Sequence, residues 1–287
     1  MKKSSGIAGA LVGLLLLSSC GRKSEQSNTL QIKGSDTMVN LGQAWAEAYM
    51  KQNPGTSVAV TGGGSGTGIT ALVNKTCDIA EVSREMKESE IQLAESKGVT
   101  PNKIVVALDG LAVVVHPANP ISELTIDQLA DIFTGKIKNW KEVGGKDGKI
   151  VLLSREVNSG THVYFKEHVL RHGKSDGKEE FAPEALLLPS SQAIADEISQ
   201  NQHAIGYYGM GYITSKEKAL KIAKEKGSPS VEPTMTNVID NTYPISRPLL
   251  MYTKGEPQGL VKNFIDYVLS PAGQDIVKKL DFVPVKK

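Results

Sequence analysis

Residues 154–161, with the sequence Ser-Arg-Glu-Val-Asn-Ser-Gly-Thr, combine groups that suit the binding of an anion. An apolar run precedes them and apolar residues at helical spacing follow, which predicts a strand, a polar turn and then a helix. Arg155 offers a guanidinium group, and Gly160 lets the backbone approach a ligand closely. Ser159 and Thr161 offer hydroxyl groups. Because a helix N-terminus has unpaired N–H groups and a partial positive charge, we expect this turn to hold an oxyanion.

Two further stretches share this design. Residues 34–37 and 61–68 each follow an alternating apolar and polar segment and precede a helical pattern. These two stretches contain Ser35, Asp36, Thr37 and Ser65. A serine or threonine at the start of a helix is by itself only a cap, which stabilises by about 1 kcal/mol and implies no ligand. Three such turns, one with an arginine and one rich in glycine, favour a single oxyanion site built from converging helix ends.

The composition limits the class of protein and of ligand. A chain of 287 residues with 40% hydrophobic residues can bury large cores and predicts two domains. The formal net charge of +2 includes Lys2 and Lys3 of a segment expected to be removed, so no basic surface favours a nucleic-acid partner. Aromatic residues make up only 5%, which favours a small charged ligand held by hydrogen bonds over a ligand held by ring stacking.

Residues 1–19 have the pattern of an export signal. Two lysines precede an apolar run at 6–17, which is shorter than the roughly 20 residues that a transmembrane helix needs. The ending Leu-Ser-Ser-Cys resembles a bacterial lipobox, in which the cysteine, here Cys20, is acylated and becomes the mature N-terminus. An ordinary cleaved signal is the alternative. Residues 20–29 are then predicted to be a polar tether between lipid and fold.

The other cysteine and the histidines give no metal motif. Cys77 lacks a disulfide partner if Cys20 carries lipid, and we expect it to be a small buried side chain. His168 and His172 are spaced i, i+4, but no carboxylate-rich motif accompanies them, which favours a solvated helix end over a metal site. Neither a metal nor a cofactor is predicted.

The glycine-rich stretch also raises the possibility of nucleotide binding or hydrolysis, and its spacing disfavours both. A P-loop requires Gly-Lys-Ser/Thr, whereas Gly68 is followed by Ile69, and no register gives G-x-G-x-x-G. A nucleophile elbow requires glycine two residues on either side of the serine, but Ser65 has Thr67 on one side. No catalytic residue is predicted.

Strands alternating with helices predict an α/β fold with parallel sheets. The chain is expected to leave one lobe near Leu111 and to return near Arg247, which would form a ligand cleft between two lobes. Other expected elements are strands at 104–108 and 111–115 broken by Asp109-Gly110, a helix at 121–133, a lysine-rich helix at 216–226 and a last helix from about Gln274.

Seven segments carry a resemblance to a known family, and they are residues 32–37, 63–68, 83–85, 132–140, 154–161, 204–207 and 243–248. From about Leu30 to its end, the chain resembles the phosphate-binding proteins of bacterial phosphate ABC transporters. The resemblance implies a two-lobed type II periplasmic-binding-protein fold with a hinge of two crossing segments and a central cleft. Lobe 1 would comprise residues 30–111 and 247–287, and lobe 2 residues 112–246. It also implies a monomer that captures inorganic phosphate and delivers it to membrane permease subunits.

The resemblance further implies the phosphate-binding residues, which are Ser35, Asp36, Thr37, Ser65, Ser83, Arg84, Arg155, Ser159, Gly160 and Thr161. The chain departs from the family at residues 83 and 84, where Ser-Arg replaces an aspartate that accepts the proton of hydrogen phosphate. Such an acceptor discriminates against sulfate, which has no proton to offer. Asp36 is the hypothetical replacement, and Arg84 is expected either to bond the anion or to brace a neighbouring carboxylate.

The leading interpretation is therefore an extracytoplasmic, lipid-anchored phosphate receptor without catalytic activity. One alternative is a receptor for another tetrahedral oxyanion, such as sulfate or molybdate. A less favoured alternative is a secreted phosphatase or serine hydrolase that uses Ser65 or Ser159.

Overall fold

The computed structural model describes residues 28–174 and 176–285, so that Cys20 and the predicted signal and tether up to residue 27 lie outside the described residues. The strands of the described part are β1 (Thr29–Gly34), β2 (Ser57–Thr61), β3 (Ile79–Val82), β4 (Pro101–Val115), β5 (Glu123–Thr125), β6 (Val151–Arg155), β7 (Leu186–Leu188), β8 (Ala204–Gly209), β9 (Lys218–Ala219), β10 (Lys221–Ala223), β11 (Ser230–Val231), β12 (Ser246–Lys254) and β13 (Val283–Pro284). Its α-helices are α1 (Val39–Gln52), α2 (Ser65–Val73), α3 (Glu88–Ser96), α4 (Ile126–Phe133), α5 (Gly160–Phe165), α6 (Ser191–Gln200), α7 (Met235–Ile239), α8 (Gly259–Val268) and α9 (Pro271–Lys279).

One mixed sheet connects most of these strands, in the order β2-β1-β3-β12-β4-β8-β6-β7, with β9 and β13 also paired to β4. The pairs β1–β2, β1–β3 and β6–β8 are parallel, as predicted. The central pairs β3–β12, β12–β4 and β4–β8 are antiparallel, which the prediction of parallel sheets did not include. The antiparallel pairs arise because β4 and β12 carry the chain in opposite directions between the two halves of the sheet.

Strand β4 changes partner along its length. Residues 101–110 pair with β12, and residues 111–115 pair with β8. We define lobe 1 as residues 28–110 and 246–285, and lobe 2 as residues 111–245. The predicted domain boundaries at 111/112 and 246/247 lie one residue from these and stay a proposal.

Helix α1 shows how the sequence pattern builds the interior of lobe 1. Leu41, Trp45 and Tyr49 recur every fourth residue, and all three are buried against the sheet. Ala46 completes this buried face. The indole Nε1 of Trp45 donates a hydrogen bond of 2.8 Å to the carbonyl of Gly273, which fixes α1 against α9.

An aromatic cluster forms the centre of lobe 2. The rings of Phe165 and Tyr207 stack with centroids 3.8 Å apart, and Phe133 meets Phe165 edge-on at 4.8 Å. Phe165 belongs to α5, the helix that follows residues 154–159, so this packing fixes the base of the predicted anion turn.

Several predicted elements differ in the structure. The lysine-rich segment at 216–226 forms strands β9 and β10 instead of a helix, because Leu220 and Ile222 alternate inward and are fully buried. Strand β4 is continuous through Asp109-Gly110, and the predicted break was wrong. Helix α4 begins only at Ile126, where Thr125 and Gln128 form a capping box, and α9 begins at Pro271.

Within residues 28–174 and 176–285, no helix is long and apolar enough to cross a bilayer. Cys77 is buried without a disulfide, and burial raises the pKa of its thiol to about 11, as expected for a structural side chain.

Candidate functional site

The three predicted turns each connect a strand to a helix, at the ends of β1, β2 and β6. Helices α1 and α2 are preceded by Met38 and Gly64, and neither helix has a side-chain cap. The hydroxyl groups of the first two turns are therefore not used to cap their helices. Ser159 does cap α5, since its Oγ accepts from the backbone N–H of His162 at 3.4 Å.

Three serines of lobe 1 form a buried hydrogen-bonded cluster. The hydroxyl of Ser35 donates to Ser83 Oγ at 2.9 Å, and Ser65 Oγ lies 3.2 Å from Ser83 Oγ. The backbone N–H of Ser83 donates to Ser65 Oγ at 3.0 Å. All three side chains are almost fully buried. Two helix starts and the end of β3 thus meet at one point of lobe 1.

The third turn reaches this cluster from lobe 2. Thr37 Oγ1 and Thr161 Oγ1 lie 2.9 Å apart across the cleft, and both side chains are buried. A Cβ at Gly160 would lie 2.3 Å from Ser65 Oγ and 2.7 Å from Ser83 Oγ, so this approach requires glycine. The predicted residues Ser35, Thr37, Ser65, Ser83, Gly160 and Thr161 are therefore brought together in one buried place.

Arg155 and Asp36 form an ion pair between the lobes beside this cluster. Arg155 Nη2 donates to Asp36 Oδ2 at 3.0 Å, and the backbone N–H of Gly63 donates to Asp36 Oδ1 at 2.9 Å. The guanidinium also donates to Ser191 and to the carbonyls of Leu188 and Pro189. Burial lowers the pKa of Arg155 from its usual value, and the Asp36 charge opposes this shift.

Asn158 and Tyr212 add contacts across the cleft. Asn158 Nδ2 donates to the Gly63 carbonyl at 2.8 Å, and the Asn158 carbonyl accepts from Gly66 N–H at 2.9 Å. The hydroxyl of Tyr212 donates to the Asp36 carbonyl at 2.7 Å. Asn158 lay inside a predicted motif, but sequence reasoning gave it no role. Tyr212 had no sequence signal, since its contact spans 176 residues.

Arg84 does not donate to the hydroxyl cluster. Its guanidinium is bidentate with Glu90, with distances of 2.8 Å and 2.7 Å, and also donates to the Glu85 carbonyl. Of the two predicted roles for Arg84, the observed contacts match the bracing of a carboxylate. The charge-assisted bonds to Glu90 lower the pKa of that carboxyl group, although its burial opposes this.

A second ion pair, which sequence reasoning missed, contacts the cluster through Ser83 and Thr37. Arg247 and Asp109 are both buried, with Nη2 2.9 Å from Oδ2. Arg247 Nη1 donates to the Ser83 carbonyl at 3.0 Å, and Nη2 donates to Thr37 Oγ1 at 3.4 Å. Arg247 lies in segment 243–248, which carries part of the family resemblance, but the sequence indicated no role for it in binding. Asp109 was predicted to break a strand.

The observed contacts give no support to hydrolysis or metal binding. The imidazole Nδ1 of His162 lies 3.2 Å from Ser154 Oγ, and only the backbone N–H of His162 bonds to the Ser159 hydroxyl. Burial lowers the pKa of His162 to about 4. His168 stacks on Tyr164 with ring centroids 3.8 Å apart. No cluster of histidine, cysteine, aspartate and glutamate within residues 28–174 and 176–285 could hold a metal ion.

A mixed sheet crossed by two strands, with polar turns from both halves meeting between them, is the arrangement of the type II periplasmic binding proteins. A family model described as the PBP superfamily domain matches residues 22–272. The phosphate-binding protein PstS of Pseudomonas aeruginosa is 36% identical over 276 residues, which cover 90% of this chain and 84% of the relative. That of Bacillus subtilis is 37% identical over 264 residues, which cover 90% and 81%. The chain belongs to the PstS family of phosphate-binding proteins.

Solved structures agree with this assignment. A substrate-binding protein from Clostridium perfringens, solved with bound phosphate, is 36% identical, covers 90% of this chain and all of its own, and superposes with a TM-score of 0.81. An ABC-type phosphate transport receptor from Vibrio cholerae is 33% identical, with a TM-score of 0.71 over 90% of this chain and all of its own. This is a family of binding proteins and not of enzymes.

Proposed function

We propose that this protein captures inorganic phosphate between its lobes and delivers it to the permease subunits of an ABC importer. The observation that carries the proposal is the buried meeting of hydroxyl groups from Ser35, Thr37, Ser65 and Ser83 of lobe 1 with Gly160 and Thr161 of lobe 2. The names of the relatives from Pseudomonas aeruginosa and Bacillus subtilis support phosphate as the ligand.

The geometry supports a mechanism based on exchange of hydrogen-bond partners. Hydroxyl groups that now bond to one another can turn their protons to the oxygens of an anion, joined by the N–H groups at the starts of α2 and α5. A hydrogen bond to a charged group contributes roughly 1.5–3 kcal/mol, so several in a dry cleft give a Kd below about 1 μM after the costs of association. Because both lobes contribute donors, the anion favours the closed arrangement.

Asp36 is the proposed acceptor of the proton of hydrogen phosphate. Its carboxylate accepts from Arg155 of lobe 2 and from the Gly63 N–H of lobe 1, beside the Thr37 hydroxyl. A carboxylate there would face the proton of HPO₄²⁻ and repel sulfate, which has none. Ser159, Arg155 and Arg84 remain proposed contributors. Ser159 would contribute its hydroxyl proton, which it can donate while its oxygen accepts from the His162 N–H. Arg155 would contribute its charge, and Arg84 would brace residues 85–90.

We also propose that the protein is lipid-anchored through Cys20 outside the cytoplasm and acts as a monomer. The lysines, the short apolar run and the Leu-Ser-Ser-Cys ending support the lipid anchor, and the monomer is what the family resemblance implies. Metabolic labelling with radioactive palmitate is expected to mark the wild type and not the Cys20→Ala variant. Equal labelling of the two would refute the anchor.

Calorimetric titration of the chain from Gly21 onward with phosphate, arsenate, sulfate and molybdate tests the function. We expect phosphate to bind at one site per chain, arsenate to compete with it, and sulfate and molybdate to bind far more weakly. Displacement of phosphate by an equal concentration of sulfate would favour the alternative receptor for another tetrahedral oxyanion.

A further inference from the structure

The buried pair of Arg247 and Asp109 lies where the chain crosses between the lobes. The two residues face each other on β12 and β4 in the antiparallel ladder. The next residues on these strands, Ser246 and Gly110, form the last pair of that ladder before β4 changes its partner to β8. The Asp109 carboxylate accepts from both Nε and Nη2 of Arg247, at 3.0 Å and 2.9 Å.

Residues of lobe 2 also contact this ion pair. The backbone N–H of Met210 donates to Asp109 Oδ1 at 3.0 Å. The ring of Tyr164, on α5, lies under the Arg247 guanidinium at 5.6 Å, and its hydroxyl donates to the carbonyl of Ser246. The guanidinium therefore contacts residues of both lobes. Tyr164 lies on α5, the helix that also carries Gly160 and Thr161.

The remaining bonds of Arg247 point at the hydroxyl cluster. One N–H donates to the Ser83 carbonyl and another to Thr37 Oγ1. Arginine has no acceptor atom, so Thr37 must accept in this bond. Acceptance from a cation polarises the Thr37 O–H group and makes it a stronger donor to its other neighbour. In the structure that neighbour is Thr161 Oγ1.

We propose that Arg247, oriented by Asp109, is a positioning residue that sets the Thr37 hydroxyl as a donor to the bound anion and ties the anion site to the crossing strands. This inference rests on the proposed function, because it names the anion as the acceptor. The Asp109 charge offsets that of Arg247 and keeps a buried guanidinium stable beside neutral hydroxyl groups.

Conservative substitutions of Arg247 and Thr37 test whether Arg247 positions the Thr37 hydroxyl or only fills space. Arg247→Lys keeps a positive charge for Asp109, but one ammonium group cannot reach Asp109, the Ser83 carbonyl and Thr37 together. We expect it to weaken phosphate binding at least about tenfold, the loss of one charge-assisted hydrogen bond. Thr37→Val removes the hydroxyl with nearly the same shape.

A double-mutant cycle of phosphate Kd values, measured by calorimetry on the chain from Gly21 onward, tests the proposal. If Arg247 acts through Thr37, Arg247→Lys has little further effect in the Thr37→Val background. The control cycle pairs Arg247→Lys with Asn158→Ala, which lies on the Asp36 side of the cleft, and there the two fold-changes are expected to multiply. Fold-changes that also multiply with Thr37→Val would overturn the proposal.

If Arg247→Lys does not fold, as judged by the loss of a cooperative thermal transition, a second variant tests the same role. Asp109→Asn leaves the arginine in place but weakens the acceptor that orients it, and we expect the same non-additivity with Thr37→Val. Fold-changes that multiply in this cycle would equally overturn the positioning role. Failure of the wild type to bind phosphate would instead refute the proposed function, so the two failures are distinguishable.

Discussion

Gly160 offers a sharp test of the closed site, because the three atoms nearest to an added methyl group there all belong to the opposite lobe. The added Cβ of Gly160→Ala would lie 2.3 Å from Ser65 Oγ and 2.7 Å from Ser83 Oγ. Ordinary contact needs both oxygens to move by about 1 Å, and both belong to a buried cluster. Overpacking of this kind typically costs about 1–3 kcal/mol.

We expect this overpacking to oppose closure of the two lobes and to leave the free energy of unfolding of the free protein unchanged. Gly160 is the first residue of α5 and has no positive φ, so alanine suits its backbone and leaves the unliganded fold as stable as before or slightly more so. We therefore expect the Kd for phosphate to rise by about 5- to 150-fold while the Tm of the free protein stays the same or rises.

Calorimetry with phosphate and thermal unfolding of the free protein provide the two readouts. Gly68→Ala is the matched control, since its Cβ would lie 2.5 Å from the Lys33 carbonyl within lobe 1. That variant is expected to lower the Tm, because its collision is present in every lobe arrangement. Wild-type phosphate affinity in Gly160→Ala would show that α5 does not close onto the serine cluster.

Three further predictions concern the cleft and one buried acid. Asp36→Asn removes the partner of Arg155 and the proposed proton acceptor, so calorimetry should show weaker phosphate binding at neutral pH with sulfate binding spared; unchanged phosphate affinity would remove Asp36 from this role. Asn158→Ala deletes the side-chain bond to the Gly63 carbonyl, and stopped-flow release of phosphate should be about 2- to 12-fold faster, whereas an unchanged rate would contradict its role in closure. Glu81 is buried with no partner for either carboxyl oxygen among the described residues, and burial raises its pKa well above 4.5. Its proton is retained on folding, so the contribution of Glu81 to the free energy of unfolding falls by about 1.4 kcal/mol per pH unit as pH rises from 4.5 towards the folded pKa. Urea unfolding at pH 5, 7 and 8 should show that Glu81→Gln lacks this contribution, and equal pH slopes would refute it.

Local patterns predicted much of the site, because each turn is encoded by neighbouring residues. The polar stretches at 34–37, 61–68 and 154–161 do connect strands to helices, and residues from all three meet. Their convergence could be expected because the ligand edge of an α/β sheet gathers the ends of its strands. The resemblance added Ser83, which belongs to the same buried cluster.

Long-range pairing explains what the sequence did not reveal. Asp-Gly is typical of a turn, yet Asp109 stays inside β4 because Arg247, 138 residues away, neutralises it there. Arg84 was a candidate ligand by position, but the approach of Glu90 on α3 determines where its guanidinium points. The lysines at 216–226 suggested a solvated helix. In the structure β10 pairs with β5, and the alternating residues Leu220 and Ile222 are buried, so this segment is extended.

Crystallography with arsenate tests the central claim most directly, since arsenic scatters anomalously and arsenate has the shape and charge of phosphate. Helix ends from both lobes are proposed to surround one oxyanion, so a single anomalous peak is expected with its oxygens about 2.5–3.2 Å from Thr37, Ser65 and Thr161. A peak away from these residues, with none between the lobes, would contradict the account.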